Sequence, residues 1–95
     1  MIAAVPKRPG ARPVPFFVEV LLARDVRVTG EFCRWTRSGI RLHHDGHGVW
    51  RTLLSLPPGA HEYRLLIDGD WADHAAANGR VRNPFGSQNC VLTVL

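Results

Sequence analysis

From Phe16 onward, apolar and polar residues alternate in short runs interrupted by Gly, Pro, Asp and Asn, and no stretch of useful length keeps a helical period. Alternation with period two sends successive side chains to opposite faces, as in a half-buried sheet. The runs predict strands over Phe16–Leu22, Val26–Gly30, Ile40–Leu42, Val49–Leu56, His61–Ile67, Asp70–Ala72 and Cys90–Leu95. Ala23-Arg24-Asp25 is expected to fold the first two into a hairpin. Asp45-Gly46-His47-Gly48, tolerant of positive φ, is expected to reverse the third into the fourth. Pro57-Pro58-Gly59 stops the fourth strand, and Asp68-Gly69 turns tightly into Asp70-Trp71-Ala72. In the fifth run Tyr63, Leu65 and Ile67 share one side, and Glu62, Arg64 and Leu66 the other. About seven short antiparallel strands with turn signals between them predict an all-β, immunoglobulin-like β-sandwich.

Two stretches break the rhythm. Residues 1–15 contain four prolines and few large apolar groups, so a flexible basic tail is expected there, outside a domain spanning 16–95. Asp73–Asn89 is long, polar and rich in Gly and Asn, and reads as a loop that contributes to a binding site.

Composition narrows the function classes. A chain of 95 residues, 45% of them hydrophobic, suits one modest core. The net charge of +4 suggests nucleic acid at first sight, but Lys7, Arg8 and Arg12 lie in the tail. Removing those three from twelve basic residues leaves nine against eight acidic ones, too even a balance to attract phosphates, so no nucleic-acid partner is expected. Cys33 and Cys90 are too few for a disulfide framework and read as thiols in a reducing compartment, with a single bridge between them left open. The start shows no signal-peptide core or membrane span, which makes a cytoplasmic location with no membrane partner the expectation.

Three groups of residues could carry chemistry. Cys33 with a histidine could form a thiolate pair, but beside Phe32 and Trp35 a small buried thiol is the commoner occupant. Asp68, Asp70 and Asp73 are close in sequence, yet Asp68 belongs to a turn and Asp70 points to solvent, so acid–base work has no sequestered cavity. His43, His44 and His47 with Asp45 resemble a metal tract, but adjacent strand residues face opposite ways, and solvated turn histidines are the better reading. No catalytic residue, metal or cofactor is therefore expected. The three tryptophans are more informative. Trp50 begins an alternating strand and is expected to pack, whereas Trp35 and Trp71 stand at strand ends, where a flat indole can stack on the C–H face of a pyranose.

Several motifs in register then carry a family likeness: Val26-Arg27-Val28-Thr29-Gly30-Glu31-Phe32 with Trp35, Asp45-Gly46 with Gly48-Val49-Trp50, and Leu56-Pro57-Pro58-Gly59 before Glu62-Tyr63-Arg64. They continue with Ile67-Asp68-Gly69, Trp71 and Asp73, then Asn83-Pro84-Phe85-Gly86 and Asn89. From Phe16 to Leu95 the chain resembles carbohydrate-binding module family 48, which includes the glycogen-binding domain of the AMP-activated protein kinase β subunit and isoamylase N-terminal domains. The resemblance implies a non-catalytic module for an α-1,4-linked glucan such as glycogen, starch or a maltooligosaccharide. It implies that Trp35 and Trp71 form the sugar platform and that Arg64, where the kinase domain has Lys, bonds hydroxyls. Phe85 would wedge against the curved glucan, Ser87 support it, and Asn89 grip adjacent hydroxyls, since a carboxamide both donates and accepts. His74 departs from the family's common proline after the aspartate, so the loop from His74 to Arg82 is expected to take its own path. With the chain ending at Leu95, a free-standing module that tethers or contacts a partner is expected. The alternative is a protein-interaction domain of the same fold that uses its edges or apolar loops.

Overall fold

Alternating β-branched and aromatic residues build strands here because each can bury one face and leave the other to solvent. The computed structural model describes residues 10–77 and 79–95, and nine strands run through them. They are β1 (Arg12–Glu19), β2 (Val26–Gly30), β3 (Ile40–Arg41), β4 (His43–His44), β5 (Val49–Leu56), β6 (Gly59–Ile67), β7 (Asp70–Ala72), β8 (Gly79–Arg82) and β9 (Gln88–Val94). A 3-10 turn, Glu31–Cys33, follows β2. One sheet has the order β1-β5-β4; the other has β3-β2-β6-β9-β8, with β7 added to β6. All pairings are antiparallel.

Both sheets feed one core, so the all-β sandwich holds. Phe16, Val18, Trp50, Leu54 and Leu56 come from the smaller sheet; Val26, Val28, Tyr63, Leu65, Cys90 and Val94 come from the larger. Phe16 meets Tyr63 edge to face across the layers, centroids 5.2 Å apart. Trp50 is 5% exposed and packs as expected.

Connectivity differs from the expectation in four places. β1 does not form a hairpin with β2: it pairs along its whole length with β5, Arg12 with Leu56 and Glu19 with Val49, while β2 pairs with β3 and β6. The turn region near Asp25 therefore crosses between layers, as Greek-key sandwiches do. The run Ile40–Leu42 does not form the expected hairpin with β5: its residues Ile40–Arg41 (β3) join the larger sheet, and His43–His44 (β4), beyond that run, pair with β5 instead. β1 also begins at Arg12, inside the expected tail. Pro13 and Pro15 are accommodated because β1 is an edge strand and missing donors there break no second ladder. The part of the expected tail at residues 1–9 lies outside the described residues. Finally, Asp73–Asn89 is not a continuous loop, because Gly79–Arg82 forms β8 and pairs with β9 from Gly79↔Val91 to Arg82↔Gln88. Both cysteines are free thiols.

Candidate functional site

β6 is the organising strand. One of its edges pairs with β2 over Tyr63–Ile67, and the other is shared by two partners. β9 occupies that second edge up to Tyr63, and β7 resumes it at Leu65. Arg64 lies at the hand-over. There the β6–β7 and β8–β9 hairpins part, and side chains from both can face one depression.

Strand alternation fixes which residues look outward around this fork. Glu62, Arg64 and Leu66 of β6 share the outer face with Arg27 and Thr29 of β2, and the register sets Leu66 opposite Trp71. Leu66 shares the side of Glu62 and Arg64, as the alternation predicts, yet it is 2% exposed. The reason is the connection from Glu31 to Gly39, which folds over this face. Thr29 Oγ1 donates to the Thr36 carbonyl at 2.7 Å and Arg27 Nη1 to the Ser38 carbonyl at 2.9 Å. Buried His61 ties the start of the connection to β6, its Nδ1 meeting the Glu31 carboxylate and its Nε2 the Pro57 carbonyl.

Local backbone geometry then aims Trp35. Gly30 has no room for a side chain: a Cβ there would sit 2.3 Å from the Glu62 carbonyl oxygen and 2.7 Å from the Phe32 ring. After the 3-10 turn, Arg34 (φ 58°) and Trp35 (φ 57°) both adopt the left-handed conformation, and Trp35 N donates to the Gly30 carbonyl at 2.9 Å. Two consecutive non-glycine residues in that region are costly and over-determined by their surroundings. Trp35 is thereby held half-exposed at the rim.

Trp71 presents its indole from β7 with 40% exposure, flanked by the Arg64 guanidinium at 5.2 Å and that of Arg37 at 5.5 Å from the ring centroid. Arg37 also donates to the Gly69 carbonyl at 2.7 Å, which anchors the turn before Trp71. Arg64 Nε is buried and has no hydrogen-bond partner.

The opposite wall comes from the turn between β8 and β9, and a residue that the sequence reading quoted without a role organises it. Asn83 Oδ1 accepts from Phe85 N (3.0 Å), Ser87 N (3.2 Å) and Ser87 Oγ (3.1 Å), while Nδ2 donates to Ser87 Oγ (2.8 Å) and Asn89 Oδ1 (3.0 Å). Such a side chain replaces missing backbone partners and fixes the turn. The turn holds Phe85 almost fully out in solvent, 91% exposed. Asn89 is buried, and its Nδ2 donates to Glu62 Oε1 at 3.0 Å. Part of its donor and acceptor capacity is thus spent inside the protein.

Trp35, Arg64, Trp71, Phe85, Ser87 and Asn89 all line one open depression of about 590 Å³, with Asn83 and Pro84 completing it. Asn83 stands in the Asn83-Pro84-Phe85-Gly86 motif without an assigned role, and Arg37 stands in none of the motifs. An Asn four residues before a Ser in a Gly-containing turn is the signal that could have pointed to the first.

Other groups considered in the sequence are occupied elsewhere. His44 stacks on Trp50 at 4.6 Å and accepts from Gly48 N, and Asp45 accepts from His47 N at 2.8 Å, so these residues build the β4–β5 hairpin. No cluster with metal-ligand character occurs among the described residues. His74 Nδ1 lies 2.6 Å from the Tyr63 hydroxyl, and its ring contacts Phe16; burial pushes His74 below, and the Tyr63 phenol above, their ordinary pKa ranges. Asp73 is held below the usual carboxylate range by Arg80, whose Nη2 lies 3.1 Å away, and burial pushes the Cys90 thiol up. No helix among the described residues is long and apolar enough to cross a membrane.

Comparison with known proteins gives a family match over residues 21–95, to the glycogen recognition site of AMP-activated protein kinase. Among curated proteins the chain is similar to subunit beta-1 of 5'-AMP-activated protein kinase from Sus scrofa, at 28% identity over 71 residues. That alignment covers 75% of this chain and 55% of the pig sequence. The subunits from Bos taurus and Homo sapiens match at 28% and 27% identity over 75% of this chain, which spans a quarter of their length.

Proposed function

Because the chain belongs to the family of the AMP-activated protein kinase glycogen recognition site, we propose that it is a non-catalytic module that binds α-1,4-linked glucan. One observation carries the reading: Trp35, Arg64, Trp71, Phe85, Ser87 and Asn89, drawn from four separate segments, converge on a single open depression. Trp35 and Trp71 stack pyranose faces and so remove apolar ring surface from water. Arg64 supplies donors to hydroxyls that lose solvent partners, including an Nε with none inside the protein. Phe85 wedges against the curve of the chain, and Ser87 and Asn89 contact hydroxyls with the hydrogen-bonding capacity that Asn83 and Glu62 leave them. An open, partly wet platform of this kind gives a Kd of about 10 µM to 1 mM, roughly −7 to −4 kcal/mol, with longer or branched glucans favoured over maltose. The module works in the cytoplasm, a reading supported by two unbridged thiols.

Affinity electrophoresis in a glycogen gel tests this. Retarded mobility that Trp35→Ala and Trp71→Ala abolish is the expected result; unretarded wild-type protein would sink the proposal. A second reading, a protein-docking domain, draws on the smaller sheet's outer face, where Phe17 (56%) and Leu53 (46%) are exposed. A stoichiometric protein partner that glucans cannot displace, together with unretarded mobility, would favour it.

A further inference from the structure

Two guanidiniums stand beside the Trp71 indole, one of them lining the depression, which is more positive charge than a neutral sugar requires. Four arginines elsewhere are matched by carboxylates: Arg27 and Arg41 share Asp25 at 2.8 and 3.3 Å, Arg51 faces Asp45 at 3.6 Å, and Arg80 holds Asp73 at 3.1 Å. Arg64 and Arg37, the two guanidiniums flanking Trp71, form no ion pair among the described residues. The carboxylate on this face, Glu62, accepts from Asn89 instead. Arg64 is half-buried, and its Nε is sealed from water without a partner.

A guanidinium partly withdrawn from solvent and left without a counter-charge is unfavourable, and a neutral hydroxyl relieves the missing hydrogen bond but not the missing charge. A phosphate monoester relieves both. It carries nearly two negative charges at neutral pH and presents oxygens that match the guanidinium fork. Both guanidiniums stand within 5.5 Å of the Trp71 ring centroid, so a glucose at this indole would carry any ester within their field. We propose, resting on the glucan reading above, that this site prefers α-glucan bearing phosphate monoesters. Arg64 contacts the ester from the wall of the depression, and Arg37 reinforces the field from beside Trp71.

The test is calorimetric titration with two maltooligosaccharides of equal length, one neutral and one carrying a single glucose 6-phosphate ester, at low and at high salt. The phosphorylated chain is expected to bind about tenfold more tightly at low salt, and the ratio should shrink at high salt while neutral binding holds. Arg37→Ala should lower the ratio, and Arg64→Lys, which keeps the charge but not the fork, should lower it while the domain stays folded by circular dichroism. Equal binding of the two chains overturns this inference and leaves the glucan reading standing. No binding of either overturns both. A ratio that survives Arg37→Ala and Arg64→Lys together refutes the assignment to these residues. A ten-nucleotide oligothymidine bound more tightly than the phosphorylated glucan would also overturn it, since aromatic platforms with arginines can take single strands as well.

Discussion

The outer faces of the two sheets both expose aromatic and aliphatic surface, but they are built differently. On the smaller sheet Pro15, Phe17, His43, Arg51 and Leu53 surround a depression of about 440 Å³, and its single guanidinium, Arg51, already faces Asp45. The residues lining it come from β1, β4 and β5, strands of one layer, and among the described residues no connection contributes a side chain to it. On the larger sheet the Glu31–Gly39 connection crosses the strands, two hairpins part at Arg64, and a turn organised by Asn83 rises opposite. Apolar exposure alone therefore does not distinguish the faces. What distinguishes them is the convergence of unspent donors and rings from separate segments.

The largest effect that would break this contrast is on affinity. Trp35→Ala with Trp71→Ala should weaken glycogen binding by ~100-fold or more, about 2.7 kcal/mol, while Phe17→Ser with Leu53→Ser should leave it within about twofold. Equal losses from both pairs in gel retardation would erase the distinction. Next comes Gly30→Ala, which drives a Cβ into the Glu62 carbonyl and the Phe32 ring; a loss of about 2–3 kcal/mol in urea unfolding is expected, with weaker glucan binding as the connection shifts. Unchanged stability would mean that the connection is not clamped there.

Asn83→Ala removes the centre of the β8–β9 turn and should cost about 1–2 kcal/mol, together with severalfold in affinity. Asn83→Asp keeps the acceptor side but not donation to Asn89, and should recover most of the stability. If both variants bind as wild type, the turn does not shape the site.

The smallest effect concerns His74, which touches Phe16 of one sheet and Tyr63 of the other. Burial depresses its folded-state pKa below the ordinary value of 6.5, with Asp73 opposing that shift and Arg80 adding to it. The unfolded chain therefore binds the proton first as pH falls. Stability from this group is complete above about pH 6.5 and declines below it until the folded-state pKa is passed. A modest fall in Tm between pH 7.5 and 5 should flatten in His74→Gln; an identical profile in the variant would assign the effect to other groups.

Much of this was legible in the sequence. Alternation identified the core side of β5 and β6, because a one-residue period error would have buried Arg64 in place of Leu65. The sandwich class followed from many short runs. Pairing was less legible, since Val26–Gly30 is compatible with either neighbour and only the completed sheets decide that β1 belongs to β5. β8 was hidden because Gly79-Arg80-Val81-Arg82 has one apolar side chain and becomes a strand through β9 rather than by its own propensity. The burial of Leu66 was not legible, because no local pattern reveals a connection folding over it. At the site, residues with aromatic or charged side chains stood out, whereas the positioning roles of Asn83 and Arg37 are tertiary and left no periodic trace.

The left-handed pair Arg34–Trp35 bears on how a ligand is met. An indole set on such a backbone has surrendered much of its rotational freedom before any sugar arrives, so little ordering is left to be done on contact. Arg34→Gly would relax the peptide and could raise the melting temperature, yet the freed loop would have to be re-ordered at each encounter. A tougher protein with a weaker grip is the trade such a kink imposes.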